Sequence, residues 1–385
     1  MAGNIFLAVL VPLWLGGVVY CLLAHWAARR FRAASSPQAS AYVPFVSVLK
    51  PLSGLETNLE TNLGTFFLQD YPGYEILFAV ADPDDPALEI VEGLRDRYPE
   101  QRVRVIVAGR PACPNAKVHS LIKMADRSQA EILVISDSDV FVGPGYLRTV
   151  VQPFAKDKVG VVTCVYRGAP GSGFWSRLEA LAMGSGFMPG VLVAWALEGM
   201  KFALGPTMAV RRECLDSIGG FPAMKDYLAD DFVLGQWAVE QGYEVVLSPY
   251  VLDHRVLGVG FLATFKHRLR WARSSRRSRP WGYVGEGFTH PLAWAVGLLV
   301  VAPNSPWCQA ALAATLMVRY LVTWSVAWRV LRDPALERSW WLVPLQDLVG
   351  FAVWCGGFTG STVLWRGAAF EVERDGRFRP ALSRE

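Results

Sequence analysis

Two acidic clusters are the residues of this chain best suited to catalysis. They are Asp137-Ser138-Asp139 and Asp230-Asp231. Two carboxylates two positions apart can chelate one hard divalent cation, Mg²⁺ or Mn²⁺, and a cation held in this way can bind a diphosphate. A second acidic pair can supply the base that takes a proton from a hydroxyl. Together the clusters predict a metal-assisted transfer reaction.

The first cluster lies where an α/β sheet would place a ligand. Residues 131–136 have the length and β-branched content of a buried strand, and the carboxylates follow directly. Patterns typical of strands occur at residues 45–50, 74–81, 102–108, 131–136, 159–165, 205–210 and 244–247, and helical patterns at residues 55–69, 85–97, 116–125 and 227–241. Their alternation predicts right-handed βαβ units and a mostly parallel sheet in an α/β fold.

Composition predicts membrane segments beside this soluble domain. The 385-residue chain is 52% hydrophobic and only 19% charged, which is too apolar for an ordinary soluble enzyme. Residues 5–28 contain no Lys, Arg, Asp or Glu and are long enough to cross a bilayer. Arg29, Arg30 and Arg32 follow, so we expect an uncleaved anchor with the chain after it in the cytoplasm.

The C-terminal third carries three further apolar stretches, at residues 291–302, 308–328 and 341–365. Arg319 and Asp347 lie inside the second and third, and ionisable groups at that depth usually find a partner, so we expect them to pair. The arginines of the 329–338 loop and of the tail from Arg366 to Arg384 both favour the cytoplasmic side, which a single span between them forbids. Either one stretch is re-entrant or the tail departs from the charge rule.

Other features of the sequence exclude several kinds of site. The six cysteines show no C-x-x-C spacing and the five histidines are dispersed, so neither a zinc site nor a disulfide framework is indicated. The net charge of +4 is small and its basic surplus gathers near membrane boundaries, so nucleic-acid binding is not expected. Residues 174–202 are rich in aromatic and aliphatic residues. We expect them to form an interfacial element that admits lipid and not a helix of the protein core. Residues 33–40 are expected to form a linker.

A series of short motifs relates the chain to a family. The motifs are Ser47-Val48-Leu49-Lys50-Pro51, Ala81-Asp82-Pro83-Asp84-Asp85-Pro86, Asn115-Ala116-Lys117, Asp137-Ser138-Asp139, Gly205-Pro206-Thr207, Leu228-Ala229-Asp230-Asp231 and Arg270-Trp271. In order and spacing they resemble the ceramide glucosyltransferase family and its bacterial relatives associated with hopanoid biosynthesis. The resemblance implies a GT-A nucleotide-sugar-binding domain, an inverting mechanism, a UDP-sugar donor and a lipid alcohol acceptor.

The resemblance also implies a division of the chain. The parts are a transmembrane anchor at residues 1–32, a cytoplasmic catalytic domain at residues 41–285, transmembrane or re-entrant helices at residues 286–366 and a polar tail at residues 367–385. We therefore expect an integral membrane protein, in a bacterial inner membrane.

Catalytic and metal-binding roles follow from the chemistry of the acidic clusters. Asp231 is the expected base. Asp139, with Asp137 nearby, is expected to hold Mg²⁺ or Mn²⁺, which neutralises the charge on the leaving diphosphate; Asp137 contacting the ribose is the alternative. Arg270 offers a planar fork for phosphate oxygens, and Trp271 offers a face for stacking or for lining the acceptor entrance.

Two further residues take donor-binding roles from the resemblance. Asp82 is expected to contact the nucleoside, and Lys117 to contact the donor. Without the resemblance, Asp82 would be interpreted as an ordinary turn residue, and Lys117 would be interpreted as a solvent-exposed residue of a helix. His267 departs from the family pattern, in which Gln or Arg often stands three positions before Arg-Trp. Since processive polysaccharide synthases carry Gln there, His267 disfavours a polymerase.

The sequence leaves three functions in view. The favoured one is a membrane-bound inverting transfer of one hexose from a UDP-sugar to a lipid alcohol of ceramide or bacteriohopanoid type, with glucose and N-acetylglucosamine both open as the sugar. The alternatives are a processive polysaccharide synthase and a non-catalytic membrane protein with a decayed glycosyltransferase domain. The complete set of acids argues against decay, and the small number of apolar stretches argues against a polymer channel.

Overall fold

A computed structural model describes residues 2–34, 42–256, 260–365 and 368–381, with side chains from residue 5 onward. Most of the predicted linker at residues 33–40 lies outside the described residues, as do Arg366 and Arg384 of the tail. The strands are β1 Val46–Pro51, β2 Tyr74–Val80, β3 Val103–Val107, β4 Ile132–Ser136, β5 Val140–Phe141, β6 Val159–Pro170, β7 Thr207–Arg211, β8 Glu244–Val256, β9 Thr362–Trp365, β10 Ala368–Val372 and β11 Phe378–Pro380.

The helices follow the same chain order. They are α1 Ala2–Ala34, α2 Leu59–Phe67, α3 Ala87–Arg97, α4 Ala116–Ala125, α5 Tyr146–Val151, α6 Phe174–Ala182, α7 Met188–Glu198, α8 Arg212–Ser217, α9 Asp230–Glu240, α10 Phe261–Ser278, α11 Pro280–Gly285, α12 Pro291–Val301, α13 Pro306–Thr323, α14 Leu336–Ser339 and α15 Val343–Gly357. π-Helical turns at Met183–Phe187 and Trp324–Trp328 extend α6 and α13.

The chain divides into two compact units that each combine distant segments. The helical unit comprises Met1–Ala34, Arg167–Glu198 and Val256–Asp375, and the sheet unit comprises Ser35–Tyr166, Gly199–Arg255 and Gly376–Glu385. Residues 167–198 and 256–285, which the sequence assigned to the catalytic domain, fall in the helical unit. The division at residues 32, 41, 285 and 366 stays a prediction.

The sheet unit is built on a mixed sheet with the strand order β3-β2-β1-β4-β7-β6-β8-β5. β1 pairs in parallel with β2 and β4, and β2 with β3, which are the pairings that βαβ units predict. β1, β2 and β4 are buried along their whole length, as parallel strands covered on both faces should be. β7 runs antiparallel to β4 and to β6. The predicted α/β class is confirmed.

Within the described part of the helical unit, three helices are long and apolar enough to cross a membrane. They are Ile5–Ala34, Phe174–Glu198 and Pro306–Trp328. The first and third match predicted apolar stretches, and the second was expected to be interfacial. Pro280–Thr289 and Pro291–Val301 form a helix pair bent by 60°, which fits either a broken span or a re-entrant loop.

Two glycines let α1 approach its neighbours closely. A Cβ on Gly16 would lie 2.5 Å from the Phe288 ring, and one on Gly17 would lie 2.8 Å from Cβ of Pro291. Real Cβ atoms do not approach other atoms so closely, so α1 could not pack here with larger residues. α1 therefore packs closely against the segment that contains Phe288 and Pro291.

The last apolar stretch differs from its prediction. Residues 341–365 form one largely apolar stretch in the sequence, but α15 ends at Gly357 and Thr362–Trp365 forms the strand β9, which pairs antiparallel with β10. Gly356-Gly357 and Gly360 favour ending the helix, and the β-branched residues after them favour a strand. Only the first part of this stretch is helical.

The predicted pairing of Arg319 with Asp347 is confirmed. Nε and Nη2 of Arg319 donate to Oδ2 and Oδ1 of Asp347 at 2.6 Å each, and both side chains are buried. Nη2 also donates to the Ser185 carbonyl at 2.9 Å. The ion pair is bidentate, and Nη2 of Arg319 has a further acceptor in the Ser185 carbonyl. Such additional hydrogen bonds offset the cost of burying two charges.

Candidate active site

The sheet unit gathers the predicted acids from two elements. Asp137 and Asp139 follow the carboxyl end of β4, and Asp230 and Asp231 open α9. Acidic residues favour the first turn of a helix because its free amides and dipole attract negative charge. Each cluster therefore has a local structural reason for its place, and their contacts show how they meet.

Lys117 connects the two clusters. It lies in the first turn of α4, whose start is fixed by Asn115, since the Asn115 side chain accepts a hydrogen bond from the Val118 amide at 3.1 Å. Nζ of Lys117 lies 2.8 Å from Oδ1 of Asp137 and 3.8 Å from Oδ2 of Asp230. Burial opposes the charged form of Lys117, but these two carboxylates outweigh it and raise its pKa. Lys117 is thus a fixed positive charge.

Asp139 has a histidine partner, His254, on strand β8. β5 pairs with β8 so that Val140 stands opposite His254, and Nε2 of His254 lies 3.1 Å from Oδ2 of Asp139. Burial alone would raise the pKa of Asp139, but His254 and Lys50 more than offset it and the pKa is lowered. Asp139 is therefore ionised at neutral pH.

The two carboxylates that open α9 have raised pKa values. Burial raises the pKa of Asp231 to about 6, and the adjacent charge of Asp230 adds to the effect. Burial is also the main cause of the raised pKa of Asp230, while Lys117 acts in the opposite direction. A carboxylate with a pKa near neutrality is a better proton acceptor than an ordinary aspartate.

Asp231 is held on both sides by backbone. Its Oδ1 accepts from the Phe232 amide at 2.8 Å, and its carbonyl accepts from the Ala203 amide at 3.2 Å. A Cβ on Gly205 would lie 3.1 Å from Oδ2 of Asp231, so the glycine of the Gly-Pro-Thr motif leaves room for this carboxylate. Tyr166 is buried nearby, and after burial the charges of Asp231 and then Asp139 are the next causes of its raised pKa.

A layer beneath the Asp-Ser-Asp turn was missed by sequence reasoning. Nζ of Lys50 donates to the Asp137 carbonyl at 2.6 Å, and the Glu56 carboxylate accepts from Oγ of Ser138 at 2.7 Å. Asn62 donates to the Ser138 carbonyl at 3.3 Å. Lys50 is fully buried, and burial lowers its pKa to about 7 against the opposing effect of the carboxylates.

The signals for these supporting residues were weak. Lys50 lies in the Ser-Val-Leu-Lys-Pro motif, where the one signal for it is that a lysine inside a buried strand is rare unless it is paired. His254 was dismissed with the other dispersed histidines, because strand pairing and not sequence spacing brings it to Asp139. Neither position could be assigned without the sheet register.

Asp82 lies in an exposed turn after β2. Its Oδ1 accepts from the Asp84 amide at 3.0 Å. Its neighbour Asp85 accepts from the amides of Gly54 and Ala87 at 2.9–3.1 Å. The contacts of Asp82 are those of a turn residue, and its contact with a nucleoside stays a prediction.

Arg270 and Trp271 belong to the helical unit, on α10. The guanidinium of Arg270 lies 5.9 Å from the centre of the Trp271 ring, and burial lowers its pKa. Nδ1 of His267 lies 2.7 Å from Oε1 of the buried Glu179, and the His267 ring lies 4.3 Å from that of Trp271. The departure at His267 therefore still supports the Arg-Trp motif. The roles of Arg270 and Trp271 stay predictions.

The donor atoms near Asp139 fit a cation that arrives with its ligand. Among the residues that the structure describes, no three His, Cys, Asp or Glu side chains converge into a complete metal site. Oδ1 of Asp139 is buried and has no hydrogen-bond partner among them. Mg²⁺ commonly takes one or two carboxylates and completes its shell with waters and substrate phosphates. A free oxygen on Asp139, with Asp137 two residues away, suits that mode.

Comparison with known proteins decides the family. The model of Glycosyl transferase family 21 matches residues 9–378, which is nearly the whole chain. The chain belongs to glycosyl transferase family 21. It is therefore a glycosyltransferase, as the resemblance implied, and the match extends through the apolar helices at both ends.

Curated relatives of this family-21 chain act on lipids. It is 24% identical over 387 residues to ceramide glucosyltransferase 1 of Caenorhabditis elegans, covering 98% of this chain and 81% of the relative. It is 26% identical over 245 residues to the beta-monoglucosyldiacylglycerol synthase of Trichormus variabilis, covering 60% and 48%. Resemblance to the ceramide glucosyltransferases is confirmed.

A solved structure confirms the GT-A fold of this family-21 chain. The mannosyltransferase PcManGT from Pyrobaculum calidifontis, determined with GDP-Man and Mn²⁺, superposes with a TM-score of 0.55 at 20% sequence identity. The match covers 90% of this chain and 98% of that one. At this identity the likeness shows the fold, and the chemistry must be argued from the residues.

Proposed function

We propose that this protein moves one hexose from a UDP-sugar to the hydroxyl of a membrane lipid, with inversion at the anomeric carbon. The observation that carries the proposal is that Lys117 joins the two aspartate clusters through Asp137 and Asp230. One side of this group offers ionised oxygens and a fixed positive charge for a diphosphate. The other side offers a carboxylate of raised pKa that can take a proton.

The donor side rests on Lys117, Asp137 and Asp139. A divalent cation, when bound by Asp139 with Asp137 beside it, supplies Lewis-acid stabilisation of the leaving UDP. Lys117 adds a mostly buried ammonium whose charge is fixed by its two carboxylate neighbours. Positive groups already in place lower the cost of charge developing on the diphosphate. Lys50 and Glu56 keep the turn that carries both aspartates in position.

The acceptor side rests on Asp231. In the proposed single displacement the Asp231 carboxylate takes the proton of the acceptor hydroxyl as its oxygen forms the new bond to the anomeric carbon. The bond from that carbon to the UDP oxygen breaks, and its electron pair leaves with UDP. One transfer by in-line attack inverts the configuration. Inversion requires a single base and no covalent intermediate, which one ionised carboxylate beside the donor group can provide.

A lipid acceptor is supported by the relatives and by the helices. The matched relatives are named for ceramide and for monoglucosyldiacylglycerol. Among the residues that the structure describes, three helices are long and apolar enough to cross a membrane, and a bent helix pair forms either a broken span or a re-entrant loop. An enzyme anchored in this way meets its acceptor in the bilayer, so we propose a lipid alcohol of ceramide or bacteriohopanoid type.

Product analysis tests the proposal directly. Purified full-length protein is incubated with UDP-glucose, UDP-N-acetylglucosamine or GDP-mannose and with ceramide, diacylglycerol or a bacteriohopanoid alcohol, and products are identified by mass spectrometry. We expect one lipid carrying a single hexose and only with a UDP-sugar. Long sugar polymers would instead support a processive synthase, and transfer from GDP-mannose would refute the UDP specificity.

The proposal includes a cytoplasmic catalytic domain. Arg29, Arg30 and Arg32 follow the first apolar stretch and favour the cytoplasmic side. Nucleotide sugars are made there, so the acidic group must face the same side. A cysteine in place of the exposed Arg148, in a variant whose exposed native Cys355 is replaced by serine, should react with a membrane-impermeant thiol reagent only in opened cells. Labelling in intact cells would reverse the orientation.

A further inference from the structure

A basic cavity in the helical unit has no role in the proposed transfer. It has a volume of about 310 Å³ and is lined by Arg276, Arg277, Pro280 and Arg374. Three of its four lining residues are arginines. α10, which supplies two of them, contains six Lys or Arg from Lys266 onward and no Asp or Glu. Such a cavity attracts anions.

The arginines on one wall are held in place by carbonyl groups. Arg276 donates from both terminal nitrogens to the carbonyls of Phe358 and Gly360. One turn earlier, Arg273 donates to the carbonyls of Thr359 and Thr362 at 3.0 and 2.6 Å. These contacts fix α10 against the segment that follows α15. The guanidinium of Arg276 is therefore fixed in the cavity wall.

The described residues that line the cavity include no acidic side chain. Burial lowers the pKa of Arg276, and the charges of Arg277 and Arg273 lower it further. A phosphate oxygen matches a guanidinium in charge and geometry.

The surroundings of the cavity point to a membrane surface. Trp281 follows the lining residue Pro280 and is 85% exposed, and Val284 one turn later is 50% exposed. Pro280–Thr289 is the first arm of the bent apolar helix pair. Exposed tryptophan beside basic residues is typical of the headgroup layer of a bilayer. The ligand that reaches this cavity is therefore expected to come from the membrane.

We propose that the cavity binds the phosphate group of an anionic phospholipid. Arg277 and Arg374 contact the phosphate, Arg276 shapes the wall, and Trp281 lies in the headgroup layer. The lipid is a resident ligand and not the sugar acceptor, because the acceptors proposed above, ceramide and a bacteriohopanoid alcohol, carry no phosphate. Loss of Arg277 and Arg374 should weaken binding of an anionic lipid by roughly tenfold or more.

Native mass spectrometry of the full-length protein in detergent tests the inference without measuring transfer. Phosphatidylglycerol and phosphatidylcholine are titrated separately against wild type, Arg374→Gln, and Arg277→Gln combined with Arg374→Gln. Arg374 is exposed, so its single replacement should leave folding intact. The matched control is Arg95→Gln with Arg97→Gln, which removes the same charge from exposed residues of the sheet unit.

The expected result is a preference for phosphatidylglycerol that the control keeps, the single variant reduces and the double variant loses. Equal binding of phosphatidylglycerol by the double variant and wild type would overturn the inference. Inorganic phosphate and UDP are added as competitors. Displacement of the lipid by millimolar phosphate would indicate a free-anion site, and displacement by UDP would assign the arginines to the donor; either result would overturn it too.

Discussion

The ammonium of Lys117 lies 2.8 Å from the carboxylate of Asp137. The same nitrogen lies 3.8 Å from Asp230, so one buried cation joins the acids after β4 to the acids that open α9. Two clusters far apart in the sequence thus share one electrostatic unit. A change of charge at Lys117 must be felt by both the proposed donor side and the proposed base.

Replacing Lys117 by Met should reduce transfer on the order of 10²-fold. The positive charge of Lys117 lowers the pKa of Asp231, so its removal should also move the acid limb of the pH–rate profile to higher pH. The measurement is kcat against pH for Lys117→Met and for Lys117→Arg, which keeps the charge. If the role of Lys117 is purely structural, Lys117→Met should lower kcat without shifting the acid limb of the pH–rate profile.

Transfer should require a divalent cation. Excess EDTA is expected to abolish product formation, and added Mg²⁺ or Mn²⁺ to restore it, because the leaving diphosphate needs charge neutralisation. Asp139→Asn should raise the cation concentration needed for half-maximal rate and weaken UDP binding. Asp70→Asn, which alters an exposed carboxylate of the same unit, is the control. Undiminished activity in excess EDTA would contradict the metal assignment.

Activity should fall as the pH drops through about 6. Asp231 accepts a proton only when ionised, and burial and Asp230 raise its pKa to about 6, so the base is lost by protonation at a higher pH than an ordinary aspartate would be. The profile of kcat/KM from pH 4.5 to 8 measures this limb, with thermal unfolding at each pH as the control for folding. A kcat/KM value that does not change between pH 8 and pH 4.5 would exclude Asp231 as the base.

Breaking the Arg319–Asp347 pair should destabilise the helical unit. Asp347→Asn leaves a buried guanidinium without its counter-charge, which typically costs about 3–5 kcal/mol. Replacing both residues, as Arg319→Met with Asp347→Leu, should recover much of the loss. The stability of both variants is compared with that of wild type by their apparent melting temperatures in detergent. Equal melting temperatures for Asp347→Asn and wild type would show that the pair contributes little.

Much of the fold followed from local sequence patterns. The strands around β1 and β4 are continuous apolar runs, so their type and parallel pairing could be predicted from the residues. The antiparallel half of the sheet could not, because β5 has only two residues and β8 runs well past its apolar core to Val256. Strand register is a long-range property, and it alone brings His254 to Asp139.

The candidate site was predictable to the extent that its residues stand in motifs. Asp137, Asp139 and Asp231 were named from spacing and chemistry, and the structure brings their clusters together through Lys117. Lys50 was unassigned, because its contact with the Asp137 carbonyl depends on β1 lying beside β4. Side chains that support a site from a neighbouring strand carry no local signal.

Replacing Asp231 by Asn is the most direct test of the proposed chemistry. The change keeps size and hydrogen bonding but removes the proton acceptor, so single-turnover transfer should fall by about 10² to 10⁴-fold while UDP binding stays within a few-fold of wild type. Asp230→Asn, measured in parallel, should retain more transfer. Near wild-type transfer by Asp231→Asn together with loss of transfer in Asp230→Asn would contradict the assignment of the base and, with it, the account of this site.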